Sequence, residues 1–218
     1  MKLPRLLTLI FTLNFVFVHF SYAKENHFFP EAIRNEMKSD ITGFLKNIPQ
    51  NKGQQQYINR ILEDTQYEEI LLLMDSSFSP EVIEKISKNE ELFSLIEVLD
   101  ILAYNLRSED SFSNWYLSRL VSLVENKPSL YLVSFLRLCQ HSDGVYSEWF
   151  ADPLVKIILS YPKEFSVALG EINGWKKICS ILRTGNFQKV ITTLNHYEKK
   201  ELSNVRELLN CLQKEGQV

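Results

Sequence analysis

An all-α fold is predicted by three features of this chain. Apolar residues recur at three- and four-residue intervals along most of its length, the spacing of amphipathic helices. Only 7 Gly and 7 Pro punctuate 218 residues, too little turn chemistry for a sandwich or barrel of many short strands. Helix-opening signals, Ser or Asp followed by Pro, recur between the apolar segments. About ten short to medium helices are expected, arranged as an α-solenoid-like array of stacked helix pairs or as an irregular bundle. Helix starts near Pro80, Ser111, Pro128, Asp152, Trp175 and Asn186 imply units of roughly 30 to 45 residues, which favours the array although no clean repeat accompanies them.

Residues 1–23 have the layout of a secretory signal peptide. Lys2 and Arg5 precede a mostly apolar stretch, and Ser21-Tyr22-Ala23 puts small residues at the recognition positions for cleavage. Cleavage after Ala23 is expected, giving a single helical domain over 24–218 in the periplasm or outside the cell. The rival reading, an uncleaved anchor, is weakened by Thr8, Thr12, Asn14 and His19 inside the stretch. No later segment is apolar enough for a bilayer, so no stable membrane insertion is expected after cleavage.

The helices follow in order. Pro30 suits a first helical position, and Ile33, Met37, Ile41, Phe44, Leu45 and Ile48 then form one face up to Pro49. Residues 51–56 are polar and include Gly53, so a loop is expected there. Tyr57, Ile58, Ile61 and Leu62 start the next apolar face, continued by Tyr67, Ile70, Leu71 and Met74. Ser79-Pro80-Glu81 combines an N-cap, a proline at the first position and an acid that complements the helix dipole. From 90 to 107 the apolar positions cover so much of the circumference that this helix should be central. Helices over 112–125 and 128–140 are next, then the break Ser142-Asp143-Gly144. Asp152-Pro153 is expected to open a further helix and Pro162 a short one. Gly170 and Asn173-Gly174 punctuate before helices at 175–183, 187–196 and 202–212.

The stretch Gly185-Asn186-Phe187-Gln188-Lys189-Val190-Ile191 with Leu194 resembles the turn and second helix of a tetratricopeptide repeat. The resemblance covers half of one repeat and implies an antiparallel helix pair whose aromatic packs between the helices. The preceding helix departs from the family, with Gly174, Lys177 and Ile178 where Trp, Leu and a small residue are usual.

With 24 basic and 27 acidic residues the chain carries -3, and loss of Lys2 and Arg5 with the leader makes this -5. Nucleic-acid binding is therefore not expected. Residues 60–126 hold 14 acids and 5 bases, whereas 176–214 hold 8 bases and 3 acids. Two solvated faces explain this first; steering of a partner, or head-to-tail pairing of copies, explains it second. Cys139, Cys179 and Cys211 include no C-x-x-C pair. Buried free thiols are the first reading, one internal bridge between Cys179 and Cys211 the second, and an intermolecular bridge the third.

Catalytic signatures are scarce: no H-E-x-x-H, G-x-S-x-G, phosphate-binding Gly loop or calcium loop occurs. Cys139, His141 and Asp143 lie close in sequence, but catalysis needs convergence in space, and a helix end followed by a polar turn is the preferred reading of the same residues. Adjacent carboxylates such as Glu68-Glu69 and Glu90-Glu91 diverge by about 100° on a helix. No cofactor or metal is expected. Trp115, Trp149 and Trp175 read first as core; Tyr146 with Trp149, beside a glycine turn, is a candidate anchor for a partner. The bases Lys176, Lys177, Arg183 and Lys189, with Lys199 and Lys200, are a candidate partner-binding cluster. The expected function is protein binding or adaptor work by an exported helical-repeat-like chain. An enzyme of unfamiliar type around His141 and Asp143, and a self-associating envelope component, are the alternatives.

Overall fold

In the computed structural model, the described residues are 27–47, 52–64, 67–74, 78–106, 111–172, 174–185, 187–197 and 203–214. Residues 1–23, where a signal peptide is expected, lie outside them, as do Lys199 and Lys200. Among the described residues there are twelve helices and no strand. They are α1 (Glu31–Asn47), α2 (Lys52–Asp64), α3 (Tyr67–Met74), α4 (Pro80–Ser87), α5 (Leu92–Asn105), α6 (Phe112–Asn126), α7 (Pro128–His141), α8 (Gly144–Ser160), α9 (Pro162–Glu171), α10 (Trp175–Thr184), α11 (Gln188–Tyr197) and α12 (Ser203–Gln213). The fold is all-α, as the periodicity predicts.

Several ends are set by local chemistry. Ser79 accepts from the Val82 amide at 3.4 Å, and Ser111 from the Asn114 amide at 3.2 Å, each satisfying an otherwise orphaned donor of its helix. Asp40 interrupts α1 with φ −151° and ψ 79°, and its carboxylate takes the Gly43 amide at 2.9 Å. It thus caps the second half of a kinked helix. Gly144 starts α8 at φ +41°, a conformation that costs a residue with a Cβ. Gly174 allows the start of α10 to lie on α7: a Cβ there would sit 1.4 Å from the Gln140 side-chain nitrogen.

Two sequence expectations are overturned. Residues 52–56 are the first turns of α2, not a loop. They are polar because this end of the helix is largely exposed, and Gln55 bonds Asn59 one turn on at 3.0 Å. Pro153 lies inside α8 rather than opening a helix. An interior proline costs about 3 kcal/mol, but α8 fully buries Phe150, Leu154, Ile157 and Ile158 on one face, and each such side chain contributes about 1.5–3 kcal/mol. Burial wins, and the helix continues.

Every extensively packed pair of helices lies within three places in chain order, from α1 with α3 to α10 with α12. Such progressive, local packing is compatible with an irregular bundle as well as with a stacked array. One cluster of buried side chains runs from Phe29 to Leu212. At the N-terminal end, Phe29 stacks on Phe112 at 5.5 Å while Phe28 meets Phe112 and Trp115 edge-on or tilted, tying the segment before α1 to α6. α2 docks on α5, where the Tyr57 hydroxyl donates to Glu97; burial, then that carboxylate, pushes the phenol up to about 12. Two buried or half-buried tyrosines pin α7 and its neighbours: Tyr131 donates to the Phe78 carbonyl at 2.9 Å and Tyr161 to the Glu125 carbonyl at 2.5 Å.

The resemblance to a tetratricopeptide repeat stops at the turn. Phe187 does pack against the core, but α10 packs on α7, α8 and α12, and α11 on α8, α9 and α12; the two are not an extensively packed pair with each other.

Cys179 on α10 and Cys211 on α12 form a disulfide, with Cα atoms 6.4 Å apart, and Cys139 is a buried free thiol. Beside the bridge, Arg183 donates to the Cys211 carbonyl at 2.7 Å. The bond closes a sequence separation of 32 residues, a constraint on the unfolded chain of about 4 kcal/mol. Cys211→Ser, or addition of reductant, should lower the thermal midpoint by roughly 10 °C. Equal midpoints with and without reductant would contradict the bridge.

Candidate functional site

A concavity lies over α7, between α4 and α9. α7 is buried around most of its circumference through Tyr131, Leu132, Ser134, Phe135, Leu136, Leu138 and Cys139. That leaves one stripe, Leu130, Val133 and Arg137, at i, i+3 and i+7. α4 contributes Glu81 and Glu84 from one side, and α9 contributes Glu164, Val167 and Glu171, again a three- and four-residue spacing, from the other. Two hollows result, of about 310 Å³ on the α9 side and about 210 Å³ on the α4 side. Both are lined by Val133 and Glu171, so they adjoin and form one groove with α7 as its floor.

The groove exposes apolar surface, as the molecule also does at Tyr104 and Val145 outside it. Leu130 and Val167 are 51% and 50% exposed. Ala168, Val133 and Leu132 continue the apolar floor between them. Its rim is charged: Glu81, Glu84, Glu164 and Glu171 line it, against Arg137 and Lys163. Glu84 takes Lys88 at 2.8 Å and Arg137 at 4.0 Å, and the Lys88 bond holds its carboxyl below the usual range. The Glu81 carboxyl is also lowered, by its own backbone amide and then by Ser79 at the cap of α4. Both are therefore anionic near neutral pH.

The residues singled out from sequence lie elsewhere. Tyr146 and Trp149 are half-buried on α8: the Tyr146 ring packs on Phe93 at 4.6 Å, and Trp149 meets Phe150 edge-on at 5.3 Å. Burial, with Asp100 and Glu97 nearby, raises the Tyr146 phenol. Lys176 and Lys189 are exposed on α10 and α11, with Lys176 over the Trp175 ring at 5.7 Å; Lys177 and Arg183 are half-buried. Packing of α8 against α10 and α11 gathers these elements at one end of the array, but none of the six residues lines the groove. Periodicity missed the groove because Leu130, Val133 and Val167 are written in the same letters as core. The available signal was that they fall off the buried stripes of their own helices.

The segment around His141 is a helix end and a turn. Ser142 donates to the Cys139 carbonyl at 2.8 Å and shares a 3.2 Å hydrogen bond with Ser147, which closes α7 and leads into α8. His141 is half-buried and Asp143 exposed. Cys139 is fully buried, and the loss of hydration pushes its thiol well up, away from the thiolate a nucleophile requires. Among the described residues no cluster of three or more His, Cys, Asp or Glu is placed to hold a metal ion. No described helix is long and apolar enough to cross a membrane.

A thiol reagent added to the native, oxidised protein should leave Cys139 unmodified, and denaturation should release one reactive thiol per chain. Rapid labelling before unfolding would show that Cys139 is accessible after all. Comparison with protein-family models, with curated proteins and with solved structures finds no match for this chain.

Proposed function

We propose that this chain is exported and acts by binding another protein in the groove over α7. The observation that carries the reading is the pair of half-exposed aliphatic residues, Leu130 and Val167, lining an adjoining pair of hollows, whereas the more exposed Tyr104 and Val145 line neither hollow. Concave apolar surface rimmed by charge suits a polypeptide ligand, with desolvation of the floor supplying affinity and the rim supplying selectivity. A volume of about 310 Å³ is also at the lower end of what small-molecule sites use. The open sides favour a chain that runs along the groove.

Export is supported by two features of different kinds. The leader-like residues 1–23 precede the domain. The Cys179–Cys211 disulfide belongs to compartments where thiols are not held reduced. N-terminal sequencing of natively produced protein should begin at Lys24, and a product that begins at the initiator methionine and remains cytosolic would refute export.

Affinity capture from the native compartment, followed by mass spectrometry, tests the groove. A partner retained by the wild-type chain should be lost, by about tenfold or more in affinity, on Leu130→Asp with Val167→Asp. Both positions are exposed, so thermal unfolding should be nearly unchanged. The Lys176→Glu, Lys177→Glu variant provides the contrast: if it releases the partner while the groove variant keeps it, binding belongs to the basic end of the array instead.

A further inference from the structure

The groove's lining also specifies the chemistry of its occupant. We infer that it takes a short basic segment of a partner polypeptide, with aliphatic side chains seated on the floor and Lys or Arg side chains meeting the carboxylates of the rim. This rests on the groove being the binding site, as proposed above.

Four carboxylates line the groove against two cations. Arg137 is already engaged by Glu84, and Glu84 by Lys88 as well, so that part of the α4 wall is largely neutralised from within the molecule. Glu164 and Glu171 project from the same face of α9, about two turns apart, and Val167 lies between them. Glu81 lies on the opposite wall, on α4. The result is an aliphatic strip flanked on both sides by exposed acids. An acidic ligand would bring like charges together, and an uncharged apolar one would strip water from the rim carboxylates without replacing it. A segment alternating aliphatic and basic residues satisfies both parts. An anionic lipid surface is disfavoured by the same argument.

A second copy of the chain is the competing occupant, since α10 carries Lys176 and Lys177 and α11 carries Lys189. Its basic end, however, exposes Lys176 and Lys189 but holds Lys177 and Arg183 half-buried, the latter engaged by the Cys211 carbonyl, and offers no aliphatic strip of matching exposure: the exposed large apolar residues among those described include none on α10 or α11. The foreign segment fits better.

The test uses the purified chain and two fluorescent amphipathic peptides with the same leucine spacing, one with lysine and one with glutamate at the polar positions. The Leu/Lys peptide should bind at least about tenfold more tightly than the Leu/Glu peptide, and more weakly as ionic strength rises. Glu164→Lys with Glu171→Lys should remove that preference, and Val167→Asp should weaken the Leu/Lys peptide without unfolding the protein. Equal binding of both peptides, or a preference for Leu/Glu, overturns the basic class; if that binding is still lost in Val167→Asp, the groove stands as the site and only its chemistry was misread. Leu/Lys binding that ignores all three substitutions overturns the inference, and no binding of either peptide does so as well. Concentration-dependent dimers, abolished by both Val167→Asp and Lys176→Glu, would assign the groove to a second copy.

Discussion

Burial of α7 is the constraint on which the rest of the molecule depends. Leu132, Phe135, Leu136, Leu138 and Cys139 are all at most 1% exposed, and α4, α6, α9 and α10 each pack against this one helix. At about 1.5–3 kcal/mol per buried side chain, these contacts outweigh any single cap or ion pair in the structure. They also fix where four other helices lie. Tyr131 adds a directional element, because its buried hydroxyl donates to the Phe78 carbonyl, just ahead of α4.

The groove is a consequence of that same packing. A helix surrounded on most sides leaves one stripe that its neighbours do not reach, and here the stripe carries Leu130 and Val133 beside Arg137 rather than the charged residues usual along a whole solvent face. On the reading proposed above, function and stability share a helix without sharing side chains: the buried faces hold α7 in place, and the remaining face would receive the partner. At the far end, the Cys179–Cys211 bridge and the Arg183 hydrogen bond secure α12 against α10, so the short terminal helix does not depend on apolar contact alone.

Much of the fold was legible because its causes are local. A helix satisfies its own backbone within four residues, so the three- and four-residue apolar spacing announces it, and Ser79-Pro80 and Ser111 mark their starts through contacts three residues long. The failures were local too. Pro153 carried a start signal that the apolar face of α8 overrode, and the polar residues 52–56 were helical because an exposed helix end needs no apolar residues. The candidate site was hardly legible. Tyr146, Trp149 and the basic residues of α10 and α11 stood out by type, whereas the groove is lined by Leu, Val, Ala and Glu.

The sequence by itself determined that this chain is helical, roughly where its helices begin, which residues can form a core and how charge is divided along its length. Tertiary structure alone decided that Cys179 meets Cys211 across 32 positions, that α10 packs on α12 rather than on α11, and that Leu130 and Val167 remain in the open. The physical reason is one of range. Backbone hydrogen bonding is satisfied among near neighbours and is written in short patterns, but an aliphatic side chain becomes core or binding surface according to which distant helix covers it.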